Sequence, residues 1–221
     1  MDYKDRIEVE SAQAILSSDP NGPSITRNEF GDLIGVTTSY FNEENTLIRG
    51  TDFNINYLLD IKDIGYLTFS LKGTKLAKFL TPGLTENQEL RMINRVGRFN
   101  FNAHTHSLPE NRINAFINWN YKDYIFGLTS RYIDGYVNER AITGLGITYG
   151  YENKIDSFLV HDLSLRKILK VSSGELKLNL ALINIFDESA PRLYDAPDFS
   201  FDTRVHDPRG RMLGVNIEYK F

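Results

Sequence analysis

The feature that most restricts the fold of this chain is a two-residue rhythm of apolar and polar side chains that recurs along it. It is clearest in the last segment. There Leu213, Val215, Ile217, Tyr219 and Phe221 fall on one side, and Gly214, Asn216, Glu218 and Lys220 on the other. Side chains of an extended strand point alternately to its two faces, whereas a helix needs apolar spacings of three and four. The same rhythm runs through Asp52–Leu59, Tyr66–Thr74, Arg112–Tyr121, Tyr124–Tyr132, Ile155–Leu169 and Gly174–Phe186, and near the start Ile7 and Val9 sit among Arg6, Glu8 and Glu10. These segments predict an all-β, antiparallel chain of about eight meandering strands, with Leu33–Tyr40 as a shorter hairpin extension. Connections alternate in length. Asp60–Gly65, Tyr121–Asp123 and Lys170–Gly174 are short, while Ser11–Thr46, Thr81–Asn111, Tyr136–Asn153 and Asp187–Pro208 are long.

Two architectures can use such strands. In a sandwich the apolar face packs on a second sheet. In a membrane barrel that face meets lipid and the polar face lines a wet lumen, with short turns at one rim and long loops at the other. No run reaches the ~18 apolar residues of a membrane helix, but a barrel strand needs only about 9–11 alternating ones. Aromatic residues near strand ends (Tyr57, Tyr66, Trp119, Tyr121, Tyr124, Tyr132, Tyr219) suit the girdles of a barrel. The periodicity by itself leaves barrel and soluble β-fold open. A net charge of −4 offers no basic footprint for nucleic acid, and the lack of cysteine excludes disulfide scaffolds and thiolate metal sites. The sequence holds no G-x-S-x-G, H-E-x-x-H, P-loop or G-x-G-x-x-G pattern, so a non-enzymatic role without a cofactor is expected.

The C-terminal third carries more specific motifs. Asn179-Leu180-Ala181-Leu182-Ile183-Asn184-Ile185-Phe186-Asp187 resembles the N-L-F-D segment near the end of TonB-dependent outer-membrane receptors. Asp207-Pro208-Arg209-Gly210-Arg211 and the strand to Tyr219-Lys220-Phe221 resemble their closing strand, in which a terminal Phe after alternating apolar residues serves as an assembly signal. Gly214, Ile217, Tyr219 and Phe221 fit that signal, and Met212 stands where a polar residue is expected. Tyr40-Phe41-Asn42 with Ile48-Arg49-Gly50-Thr51-Asp52, Leu108-Pro109-Glu110-Asn111-Arg112 and Arg131-Tyr132-Ile133-Asp134 resemble further family segments in the family's order.

The resemblance implies a transmembrane β-barrel wall. Residues 1–221 would supply about the last eight strands of a barrel of about 22 strands, with the plug domain and signal peptide outside the chain. It implies a receptor and transporter of the bacterial outer membrane that takes up a small ligand such as a siderophore, corrinoid or oligosaccharide. Its partners would be the lipid bilayer and lipopolysaccharide, the barrel assembly machinery through the terminal strand, and TonB through the N-terminal part. Asn184, Phe186, Asp187, Asp207, Pro208, Arg209, Gly210, Gly214, Tyr219 and Phe221 are the expected motif and barrel-closure residues. The rivals are a stand-alone eight-stranded outer-membrane barrel with a structural or adhesive role, and a soluble β-sandwich binding module.

Other candidates read more simply. His104 and His106 would share a face on a strand, as two metal ligands must, but no third ligand is evident and a polar loop is preferred. His161 interrupts an apolar face and is expected near a rim, and His206 beside the Asp-Pro-Arg motif is expected to be structural. Asp195, Asp198 and Asp202 crowd a loop with Tyr194 and Phe199, but they lack the spacing of a calcium loop. Arg209 and Arg211 suit either lipopolysaccharide phosphates or ion pairs with nearby aspartates.

Overall fold

The structure, a computed structural model, describes residues 2–3, 6–9, 12, 15–16, 19–43, 46–84, 90–100, 107–138, 148, 150, 152–193 and 199–221. His104, His106, Tyr194, Asp195 and Asp198 lie outside the described residues. In chain order the strands are β1 (Asp2–Tyr3), β2 (Arg6–Val9), β3 (Ile25–Arg27), β4 (Leu33–Val36), β5 (Tyr40–Glu43), β6 (Thr46–Ile61), β7 (Gly65–Leu84) and β8 (Leu90–Asn94). They continue with β9 (Asn111–Tyr121), β10 (Tyr124–Ile133), β11 (Tyr136–Val137), β12 (Lys154–Ile155), β13 (Phe158–Val171), β14 (Gly174–Ile183) and β15 (Met212–Lys220). No described helix is long and apolar enough to cross a membrane, which says nothing about crossing by strands.

The chain divides into two compact units, Met1–Arg49 with Leu76–Leu108, and Gly50–Lys75 with Pro109–Phe221. The first is built from local pairings. Strand β2 pairs with β5, β3 with β4, β1 with the start of β6, and the end of β7 with β8, all antiparallel. Segments expected to be long loops, Ser11–Thr46 and Thr81–Asn111, therefore contain strands. Their apolar alternation is short because the strands themselves are short.

The second unit is one antiparallel meander in the order β6-β7-β9-β10-β13-β14-β15. Its register explains the rhythm. Leu67 faces Trp119, Phe126 faces Trp119 and Leu165, Leu165 faces Leu180, and Leu180 faces Val215. The apolar positions of six neighbouring strands thus align into one continuous leucine face. The opposite, asparagine face is a polar lattice. Ser70 Oγ donates to Asn56 Oδ1 at 2.7 Å, and Thr74 Oγ1 to Asp52 Oδ1 at 2.6 Å. Further along, Arg166 Nε donates to Asn179 Oδ1 at 2.6 Å, and Asn179 Nδ2 to Asn216 Oδ1 at 3.1 Å, which links three strands.

Tight turns join β6 to β7, β9 to β10 and β13 to β14 on one rim. Gly65 closes the first at φ +96, and a Cβ there would stand 2.0 Å from the carbonyl oxygen of Asn120, so only glycine fits. The aromatic residues Tyr66, Trp119, Tyr121, Tyr124 and Tyr219 gather on this rim, and Tyr132 lies at the other end.

Burial is the reverse of that in a soluble sandwich. The strand hydrophobics stay exposed, with Leu163 at 44%, Ile217 at 64% and Leu213 at 73%. The closed core lies instead where the long connections fold together, around Tyr136, Ile155, Phe158, Val160 and Leu193. A soluble domain rarely leaves so large a contiguous apolar surface open.

Candidate functional site

The long-loop end of the asparagine face carries the most organised chemistry in the second unit. Strands β10 and β13 pair so that Arg131 lies beside Asp162. Arg131 Nη1 donates to Asp162 Oδ2 at 2.6 Å and Nη2 to Oδ1 at 3.3 Å, and the backbone N–H of Asn184 donates to Asp162 Oδ1 at 2.9 Å. One carboxylate thus ties β10, β13 and the end of β14 together. Such charge-assisted bonds are shorter and stronger than neutral ones.

The expected motif residues meet around this carboxylate. Asn184 is buried, in the left-handed region at φ +52, a conformation that Asn tolerates. Its Oδ1 accepts from the Glu188 N–H at 2.9 Å, and its Nδ2 donates to the Glu188 carbonyl at 2.8 Å and the Arg209 carbonyl at 3.5 Å. Asp187, at φ +58, accepts from the Arg211 N–H at 2.7 Å. A Cβ on Gly210 would come within 2.6 Å of that same carboxylate, which explains the glycine. Asp207 accepts from Arg209 through its backbone N–H at 3.0 Å and its guanidinium at 2.6 Å, around exposed Pro208. These bonds hold the Asp207 carboxyl down at about 2. Together these contacts knot the end of β14 to the start of β15.

The remaining motif residues lie elsewhere. Phe186 is exposed, and its ring stands edge-on to His161 at 5.5 Å. His161 shares a 2.7 Å hydrogen bond with Ser130, its cross-strand partner. Gly214 sits in β15 opposite Ala181. Tyr219 shares a 2.6 Å hydroxyl bond with Ser173 in the short turn and packs edge-on against Phe221 at 4.7 Å. The guanidinium of Arg209 is taken by Asp207, and Arg211 Nη1 reaches the Ile185 carbonyl at 3.4 Å.

A cavity of about 390 Å³ opens on the asparagine face beside the knot, with Arg112, Asn114, Arg131, Asp162, Asp207 and Arg209 among its walls. Arg131 and Arg209 are neutralised by their aspartates. Arg112 makes no side-chain hydrogen bond or ion pair among the described residues, so its charge faces the cavity unspent. Next to it His206 is buried between the parallel ring of Tyr136, 5.9 Å away, and the edge of Phe158 at 5.4 Å. Neither of its ring nitrogens has a hydrogen-bond partner among the described residues. Burial pushes this imidazole below its ordinary value, Arg112 adds to the effect, and Asp202 opposes it. Asp202 in turn accepts the Tyr136 hydroxyl at 2.8 Å. The sequence reading did not single out Arg112, Arg131 or Asp162 as site residues. Arg112 and Arg131 stood out only within family-like segments and Asp162 only as a polar position on an alternating strand, and the pairing that joins them is invisible without the register.

No family model and no curated protein sequence matches the chain. Solved structures do. The siderophore receptor PirA from Acinetobacter baumannii superimposes with a TM-score of 0.56 at 16% identity, over 100% of this chain and 28% of that one. A variant of the ferric enterobactin receptor PfeA from Pseudomonas aeruginosa gives 0.56 at 13% identity, over 98% of this chain and 27% of that one. The chain shares its fold with part of the barrel wall of these receptors. A further PfeA variant, solved in complex with enterobactin, gives 0.54 at 14% identity over 98% of this chain and 27% of its own length. The chain thus spans just over a quarter of the length of the receptors it matches. In a receptor-type wall the leucine face is the outer surface and the asparagine face, with its cavity, the inner one.

Proposed function

We propose that residues 1–221 form the C-terminal wall segment of a TonB-dependent receptor in a bacterial outer membrane, and that the complete protein takes up a ferric siderophore. The wall would insert its leucine face into lipid, present the long connections to the outside, and close the barrel through β15, the strand the assembly machinery would read. Plug and TonB coupling would belong to other parts of the protein, and lipopolysaccharide would surround the outer rim.

The observation that carries this reading is the inverted burial of the second unit. An uncovered leucine face lies back to back with a hydrogen-bonded polar face, in a fold shared with siderophore receptors. A soluble sandwich needs the leucine face covered. A stand-alone eight-stranded barrel needs β15 to pair with a first strand, and among the described residues β15 pairs only with β14. The uncommitted charge of Arg112 favours an anionic ligand, which suits acidic iron chelates.

The test is uptake. Iron-limited cells lacking their own receptors and expressing the complete gene should gain uptake of at least one ferric siderophore. Arg112→Glu should weaken binding by roughly tenfold or more with the receptor still at the cell surface, since reversing one site charge is worth on the order of 1.4 kcal/mol or more. Failure to take up any of a panel of catecholate, hydroxamate and carboxylate chelates would sink the siderophore reading.

A further inference from the structure

The short-turn rim of the leucine face carries two cations that the uptake reading does not use. Lys167 is on the greasy side of β13, flanked on that face by Leu165 and Leu169 and paired in register with Tyr124. Its ammonium donates to the Tyr124 hydroxyl and lies 4.2 Å from the ring centroid. Lys122, in the adjacent turn, holds its ammonium 5.0 Å from the ring centroid of Tyr121. Between them runs a row of rings: Tyr121 against Trp119 at 5.6 Å, Trp119 against Phe126 at 5.2 Å, and Phe126 against Tyr124 at 6.0 Å. The Trp119 indole is anchored by donating to the Ile64 carbonyl at 2.8 Å. Neither lysine makes an ion pair among the described residues.

Two rings of the row, Trp119 and Phe126, also form one side of an apolar groove. A shallow cavity of about 340 Å³ starts at Trp119 and Phe126 and continues between Leu128, Leu165, Leu180 and Leu213, still on the leucine face. Its wall is almost entirely hydrocarbon, and the lysine pair stands over the outer two rings of the row that borders it. An apolar channel that ends in two unpaired ammonium groups beside aromatic rings matches one amphiphile. That amphiphile has an acyl chain, an ester and glycerol region, and an anionic phosphate in sequence. Lysines at such a height extend their stems along hydrocarbon and place the charge at the headgroups. Aromatic rings favour the same level.

We propose that this surface is a binding site for an anionic phospholipid of the leaflet at the short-turn rim, with the acyl chain along the groove and the phosphate drawn to Lys122 and Lys167. The proposal rests on the leucine face being the lipid face, and it adds to that a preference for one headgroup charge at one place on the wall.

Trp119 is the only tryptophan and lies in the ring row, so it reports directly. The full chain in nanodiscs of phosphatidylcholine would be titrated with dansyl-labelled phosphatidylglycerol or dansyl-labelled phosphatidylcholine, and energy transfer from Trp119 recorded. The anionic lipid should saturate the signal at a mole fraction on the order of tenfold lower than the neutral one. Lys122→Gln with Lys167→Gln should remove that preference, Lys167→Gln alone should remove part of it, and Lys122→Arg with Lys167→Arg should keep it. Coincident curves for the two lipids in the unaltered chain overturn the site. So does an unchanged preference in the glutamine double variant, or full competition by inorganic phosphate, which would make the free ion the occupant. Quenching of Trp119 by brominated phosphatidylcholine separates the two levels. Without quenching the lipid-facing wall itself is wrong; with quenching and coincident curves only the phospholipid site is.

Discussion

The two faces of the second unit are made by the same strands and obey opposite rules. On the leucine face the side chains make no specific bond across most of the sheet, and they stay open although their alignment is continuous. On the asparagine face side chains bond from strand to strand. Asn179 bridges Arg166 and Asn216, Asp162 joins Arg131 to Asn184, and Asn184 holds Glu188 and Arg209. On the proposed reading, the difference marks which face meets water and which meets lipid. Hydrogen bonds add specificity where water or loops compete for partners, whereas a surface meant for hydrocarbon needs only shape and the absence of charge. The exceptions on the leucine face mark its borders. Lys167 bonds to Tyr124 near the short-turn rim, and His161 bonds to Ser130 toward the loops.

The largest expected effect tests this comparison on adjacent residues of β13. Leu163→Arg puts a charge in the middle of the leucine face and should destabilise the inserted wall by about 2–4 kcal/mol. Ser164→Arg, on the asparagine face, should change it by less than about 1 kcal/mol, because a wet lumen tolerates charge. Urea unfolding in lipid vesicles, followed by Trp119 fluorescence, measures both; equal effects would break the comparison.

Smaller, and confined to the polar side, is the loss of the shared carboxylate. Asp162→Ala leaves the Arg131 guanidinium and the Asn184 N–H without their acceptor, and should destabilise the wall by about 1–3 kcal/mol, toward the lower end because Arg131 is partly open to water. Backbone exchange at Asn184 should accelerate, with exchange in the short turns unchanged.

The smallest effect sharpens the comparison at the loop core. The folded value of His206 lies below its ordinary 6.5, so above that pH both states are neutral and the residue contributes no pH dependence. As the pH falls below 6.5 the unfolded segment binds a proton that the folded one resists, and stability declines until the folded value is reached. Hydrogen exchange around Tyr136 and Asp202 should therefore accelerate between neutral and mildly acidic pH, and His206→Phe should flatten that dependence. An unchanged profile in the variant would show that the imidazole does not control the loop core.

Much of this protein was legible in the order of its residues. The strands from Asp52 to Phe221, their short turns and their two-faced character follow from alternation, because a strand cannot hide which side each residue takes. The knot around Asn184, Asp187 and Gly210 was visible only as a motif, and its bonds depend on bringing residues of two chain segments within 3.5 Å, which no local pattern encodes. Within Ser11–Thr46 only Leu33–Tyr40 was read as strand, and Thr81–Asn111 was read as loop, because short strands carry little periodic signal. Arg112, Arg131 and Asp162 became neighbours through strand register alone.

By itself, then, the sequence determined the period, the composition of each face and the rims where the chain turns back, since these are properties of consecutive residues. Which environment each face meets, and which distant polar groups share one cavity, was decided by the tertiary structure. Pairing aligns the stripes of separate strands into surfaces, and only a whole surface can be covered by protein or left open to lipid.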